Sequence, residues 1–194
     1  NDEANGHTTI VPGATDAEIL VTDAPMLATL LFANRRGPRT IDYRAGGFAI
    51  FRASAPPDSA TSLAALPETE TDAFGAFFRG RTRLGDAPFE ADGSVHIRIP
   101  GGMPLQLGLT DASGTLLTFG AGAPFVGEMV QREHMTFYPG ERIRQSLPRV
   151  FFNNLCGGCH GSISGREIDV VADPDIFTSA SPRVLAIDDE PMSF

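Results

Sequence analysis

Two short stretches, "SVHIRIP" at 94–100 and "PLQLGLT" at 104–110, place an apolar side chain at every second position. Val95, Ile97 and Ile99 alternate with His96 and Arg98, and Leu105, Leu107 and Leu109 repeat the pattern. Successive side chains of a strand leave on opposite faces, so a period of two predicts strands with one buried face. Asp92-Gly93 ahead of the first stretch and Asp111 to Gly114 after the second supply turn chemistry, and "TLLTF" then returns. Short strands punctuated by turns at a spacing of roughly ten residues predict an antiparallel β-sandwich over 74–120. The six aliphatic residues point inward, and His96 faces solvent. Upstream, "GGFAIFRAS" reads as a strand. "DAPMLATLLFANRR" reads as one short helix, with Asp23 as N-cap and Pro25 in the first turn, although a buried strand explains the apolar run almost as well. "SAPPDSATSLAALPETETD" marks a loop whose acidic run is solvated, and the first dozen residues read as a frayed polar end.

The 194 residues, 42% of them hydrophobic, suit one large domain or a domain with a small appendage. A formal charge of −9 with no basic run argues against a nucleic-acid partner. No apolar run reaches the length of a membrane span, the longest being broken around Asn34.

Cysteine occurs only twice, within "NNLCGGCHG", as Cys156 and Cys159 with His160 directly after. A dithiol redox motif accounts for the pair but not for the histidine. Zinc needs about four ligands, and the remaining histidines, His7, His96 and His134, are scattered along the chain. Covalent haem attachment accounts for all three residues. The cysteines form thioethers to the two vinyl groups, and the adjoining histidine becomes the proximal iron ligand. Gly157, Gly158 and Gly161 leave room for a flat macrocycle. One covalent haem c is therefore the expected cofactor.

For the distal iron position the expected ligand is His134, with Met135 as the alternative; Met129, Met192, His96 and Tyr138 are weaker candidates. Haem propionates need cationic partners, and Arg142 and Arg144 lead a group that includes Arg149 and Arg166. Asp173, Asp175, Asp188 and Asp189 lack the spacing of a calcium loop. The chain divides into a β-sandwich-like domain over 1–145 and a haem-binding segment of loops and short helices over 146–194. Small cytochromes c carry their motif near the start, and the four-helix type carries it on a helical bundle. The mainly β upstream part fits neither.

The order "EADGSVHIRIPGGMPLQLGLTDASGTLL", then "MTFYPGE", then "CGGCHG" resembles the haem-bearing β domain of hydrazine synthase alpha-subunit-like proteins. The resemblance runs from about residue 84 to 161. It implies a haem c domain on a β-sandwich within a larger extracytoplasmic assembly. It does not carry over the synthase's catalytic chemistry, because the large propeller-like remainder and the further haem motifs are not in this sequence. The functional expectation is a monohaem c-type cytochrome that transfers electrons outside the cytoplasm, in the periplasm or an equivalent compartment. It is an electron carrier more than a self-contained enzyme. Its partners are other redox proteins, subunits of a respiratory or photosynthetic complex, through which it associates peripherally with a membrane. Since haem is attached there, the sequence reads as a mature product without its leader. A haem enzyme or small-molecule sensor with an open distal site is the alternative.

Overall fold

The computed structural model describes residues 8–32, 39–121, 123, 125–145, 149–165 and 183–184. In chain order its elements are β1 (Thr8–Ile10), β2 (Asp16–Val21), α1 (Ala24–Phe32), β3 (Arg39–Thr40), β4 (Gly47–Ala53) and a 3-10 turn (Leu63–Ala65). There follow β5 (Thr69–Asp72), β6 (Gly75–Phe78), β7 (Arg81–Pro88), β8 (Val95–Pro100), β9 (Leu105–Thr110), β10 (Glu141–Gln145), α2 (Arg149–Leu155), α3 (Gly157–His160), β11 (Ile163–Ser164) and β12 (Arg183–Val184). The protein is mainly β.

Two sheets enclose the main core. One runs β1-β10-β2-β8-β12 and the other β7-β4-β9. Ala17, Ile19 and Val21 of β2 and Val95, Ile97 and Ile99 of β8 meet Phe48 and Ile50 of β4, Ala87 of β7, and Leu105 and Leu109 of β9. Leu107 packs against the same core but stays half-buried. Ala24, Ala28 and Phe32 of α1 contribute to it as well. The helix starts where expected, because Asp23 Oδ1 accepts the Met26 amide at 2.9 Å, the N-cap interaction that satisfies an otherwise orphan donor.

The larger sheet is not purely antiparallel, whereas β7-β4-β9 is. β2 pairs antiparallel with β8, but β10 runs parallel to β2 and β12 runs parallel to β8. The period-two reading missed this because alternation fixes which face is buried, not the strand's direction.

The reverse face of β4 and β9 is covered too. Ala49 and Phe51 form a second cluster with Val130 and Leu116, so segment 111–135 folds back across the sheet. "TLLTF" contributes only isolated bridges, Thr110 to Leu116 and Thr118 to Glu128, not a full strand. Gly108 makes this layer fit: a Cβ there would lie 2.6 Å from Leu116 and 2.9 Å from Phe51.

The acidic run is not a solvated loop. It forms β5, paired with β6, and two of its three carboxylates are engaged: Glu70 with Arg79, and Asp72 with Arg132 at 3.2 Å. The Asp72 side chain is 1% exposed. Alternating Thr and acid carried too little apolar signal to mark a strand, and the compensating arginines lie outside the run.

Candidate functional site

α2 and α3 carry the Cys-x-x-Cys-His sequence as a nearly continuous helical run. The Cys156 amide donates to Phe152 O at 2.8 Å, the Cys159 amide to Cys156 O at 3.1 Å, and the Gly161 amide to Gly157 O at 2.8 Å. The run stops at Gly161, whose φ of 81° is a conformation that glycine reaches without a Cβ penalty.

Three interactions fix this run to the rest of the molecule. Arg149 is buried, and its Nη2 donates to Asp23 Oδ2 at 2.8 Å, joining the start of α2 to the cap of α1. Phe152 packs with Met26, Ile41 and Ile163, with Leu30 and Cys156 at the edge of the cluster. Asn153 closes the loop: its Nδ2 donates to Ile163 O at 3.0 Å, and its Oδ1 accepts the Ile163 amide at 2.8 Å. Beyond it, β11 pairs in parallel with β3. The Cys-x-x-Cys-His sequence thus sits in a small hydrophobic satellite, next to α1 and outside the main core.

Cys156 is half-buried, Cys159 is exposed, and both are free thiols. A Cβ on Gly158 would meet nothing within 4 Å, so the outer surface of the motif is open. Val150, Phe151 and Leu155 are 62%, 55% and 77% exposed. On a helix of 3.6 residues per turn, Phe151, Leu155 and Cys159 form one row, while Phe152, Cys156 and His160 occupy the positions of the next. The inner row meets the satellite core through Phe152 and Cys156, and the outer row faces water. Free thiols, open space and uncovered apolar surface suit a flat, apolar, thiol-tethered group. Among the described residues no group of three or more His, Cys, Asp and Glu side chains is placed to share a metal ion.

The other candidates lie on other elements of the fold. His134 is exposed, on the segment where Met135 bridges to Leu105 of β9. Met135 is half-buried, Met129 belongs to the main core, and Tyr138 is 74% exposed. Met192, Arg166 and the four C-terminal aspartates lie outside the described residues. Arg149, grouped by sequence with the propionate partners, is instead the buried clamp on Asp23, because its position on α2 turns it inward. Arg142 and Arg144 are half-buried on β10.

Arg142 belongs to a cluster that sequence reading missed. Its Nε donates to Glu18 Oε2 at 3.1 Å, while His96 Nε2 lies 2.8 Å from Glu18 Oε1. The Glu18 and His96 side chains are 8% and 9% exposed, so His96 is not the solvated imidazole that its place in the alternation predicted. β10 places Arg142 directly opposite Glu18, and β8 places His96 on the diagonal, within reach of a long side chain. The signal was a pairing of strands far apart in sequence. Glu18 and Arg142 also line a cleft of about 340 Å³ with Asp16, Arg98 and Glu141.

No protein-family model matches the chain, and no curated protein matches it. Among solved structures, Kuenenia stuttgartiensis hydrazine synthase is similar at a TM-score of 0.41 and 15% identity, over 70% of this chain and 18% of that one. The likeness is distant, and this chain spans less than a fifth of that protein's length.

Proposed function

We propose that this chain is a c-type haem protein that transfers electrons outside the cytoplasm as a module of a larger redox complex. Cys156 and Cys159 hold one haem through thioethers, and His160 is the proximal iron ligand. The observation that carries this reading is the Cys-x-x-Cys-His sequence on a short helical run whose two thiols are free and whose outer surface is open. When bound, the haem supplies a one-electron iron centre. The protein's own part is to fix the run that holds it. Arg149 on Asp23, and Asn153 on the Ile163 backbone, order the two ends of the attachment loop before any ligand arrives. Such preorganisation reduces the ordering that attachment must supply.

His134 serves as the distal ligand in this reading, with Met135 as the alternative. Arg142 and Arg144 are the proposed propionate partners. The redox partners are other subunits of the same respiratory or photosynthetic assembly.

The test is co-production with a haem-attachment system, followed by acid-acetone extraction of the denatured chain. Haem stays with the polypeptide in the unaltered protein and is lost in Cys156→Ala/Cys159→Ala. A haem-free unaltered chain sinks the proposal. The optical spectrum of the loaded protein then separates the roles. A low-spin haem inert to carbon monoxide supports electron transfer, and ready carbon monoxide binding supports the enzyme or sensor reading. His134→Ala converts low-spin to high-spin or opens the iron to carbon monoxide; an unchanged low-spin spectrum removes His134 from the iron.

A further inference from the structure

We infer that the aromatic cavity beside the β5–β6 hairpin binds a small aromatic amine, its ring among Phe74, Phe119 and Phe125 and its ammonium on Glu133. The inference is independent of the haem reading, and the site shares no residue with the Cys-x-x-Cys-His run.

The cavity measures about 240 Å³, and Leu31 and Phe32 at the end of α1 supply part of its apolar wall. Phe74 lies 5.1 Å from Phe125, and Phe125 lies 5.2 Å from Phe119, centroid to centroid, at tilts of 37° and 40°. The three rings form one continuous wall. Phe74 is 61% exposed, yet it is held firmly. Its amide donates to Asp72 Oδ1 at 2.8 Å, and Asp72 pairs with Arg132 at 3.2 Å. Arg132 Nη2 then donates to Gly75 O at 3.3 Å, and the guanidinium lies 5.9 Å from the Phe74 ring centre. A ring fixed in place but left uncovered is a preorganised contact, which binds at little ordering cost.

Size sets the first limit on the ligand. A dry apolar cavity of about 150 Å³ admits benzene, so this larger one takes a single ring with a short arm. Charge sets the second. Arg132 is neutralised by Asp72, whereas Glu133, an exposed lining residue, has no ion-pair partner among the described residues. The negative faces of the three rings and the chain's charge of −9 also favour a cation. A ring that carries a carboxylate meets like charge at Glu133, and an aliphatic amine leaves the rings without a stacking partner.

The experiment is calorimetric titration of the full chain, haem-free and haem-loaded, with 2-phenylethylamine as the probe. One saturable site is expected in both forms, with n-hexylamine and phenylacetate about tenfold weaker. Glu133→Gln should weaken 2-phenylethylamine about threefold and leave the neutral 2-phenylethanol unchanged. Phe74→Ala should weaken both several-fold. Glu133 and Phe74 are exposed, so both variants keep their fold, which circular dichroism checks. NMR cross-peaks from the probe's ring to the Phe74, Phe119 and Phe125 rings locate the site. No saturation at millimolar probe, equal affinity for n-hexylamine or phenylacetate, or unchanged affinity in Phe74→Ala overturns the inference. So does binding that vanishes when haem is attached, because the macrocycle then fills the cavity. A chain that dimerises, with Phe74→Ala monomeric, gives the wall to a second copy and overturns it as well. A chain that carries no haem sinks the functional reading and leaves this site standing.

Discussion

Glu18 shows how much one side chain holds in this fold. Both carboxylate oxygens face a basic group across strand boundaries, His96 on β8 and Arg142 on β10. Glu18 therefore joins the three central strands of the larger sheet at one point. Replacing it with alanine leaves a guanidinium and an imidazole without their shared acceptor in a mostly buried setting, and breaking a buried pair this way costs about 3 kcal/mol. We expect Glu18→Ala to lower the unfolding free energy by that amount, read as a fall in the urea midpoint with an unchanged slope. A shift below about 0.5 kcal/mol, the range of ordinary surface changes, would show that the cluster contributes nothing net. If Arg142 also meets a propionate, as proposed, the loaded protein will feel Glu18→Ala more than the haem-free chain.

At the scale of elements, the turns repay close reading. Asp111 Oδ1 accepts the Ser113 hydroxyl at 2.6 Å and the amides of Ser113 and Thr115 at 2.8 and 3.0 Å. The Ser113 hydroxyl bond, then the Thr115 amide, holds the Asp111 carboxyl below its ordinary range. A carboxyl whose folded pKa is depressed contributes stability that is present above its unfolded pKa and lost as pH falls through the folded one. Asp111→Asn should therefore lower stability at neutral pH, leave it little changed once pH falls well below about 4, and so flatten part of the acid limb, which urea titrations across pH would measure. This turn was legible in the sequence because aspartate and glycine punctuate the chain by local chemistry. So were β8, β9, β4 and the cap of α1, each marked by a period or a residue type within its own span. β2 was missed although Ala17, Ile19 and Val21 lie on one face, because Leu20 interrupts the alternation and is itself buried. β5 and the Glu18 cluster escaped for a different reason: their meaning lies in partners dozens of residues away. The Cys-x-x-Cys-His triplet is local and stands out in the sequence, whereas the packing of Phe152 on Met26 and Ile41 that seats it joins residues far apart in the chain.

At the scale of the molecule, the C-terminal part of the chain is joined to the fold on two sides. β12 adds to the edge of the larger sheet beside β8, and β11 pairs with β3. Phe152 and Ile163 complete the satellite core with Met26 and Ile41, so the Cys-x-x-Cys-His run rests on α1, which also belongs to the main core. The arrangement predicts how the chain responds to division at residue 145. A chain ending there keeps β10 between β1 and β2 and retains both faces of the main core. It loses Phe152 and Ile163, leaving Met26 and Ile41 uncovered, and Asp23 loses Arg149. Removing one large buried side chain typically costs about 3 kcal/mol, so the shortened chain should fold with native-like β circular dichroism but be destabilised by at least that much. Its Arg149-less cap should also make the amides of α1 exchange faster than those of β4. Equal stability before and after the cut would mean that the two parts fold independently; complete unfolding would mean that the satellite core is indispensable to the sandwich.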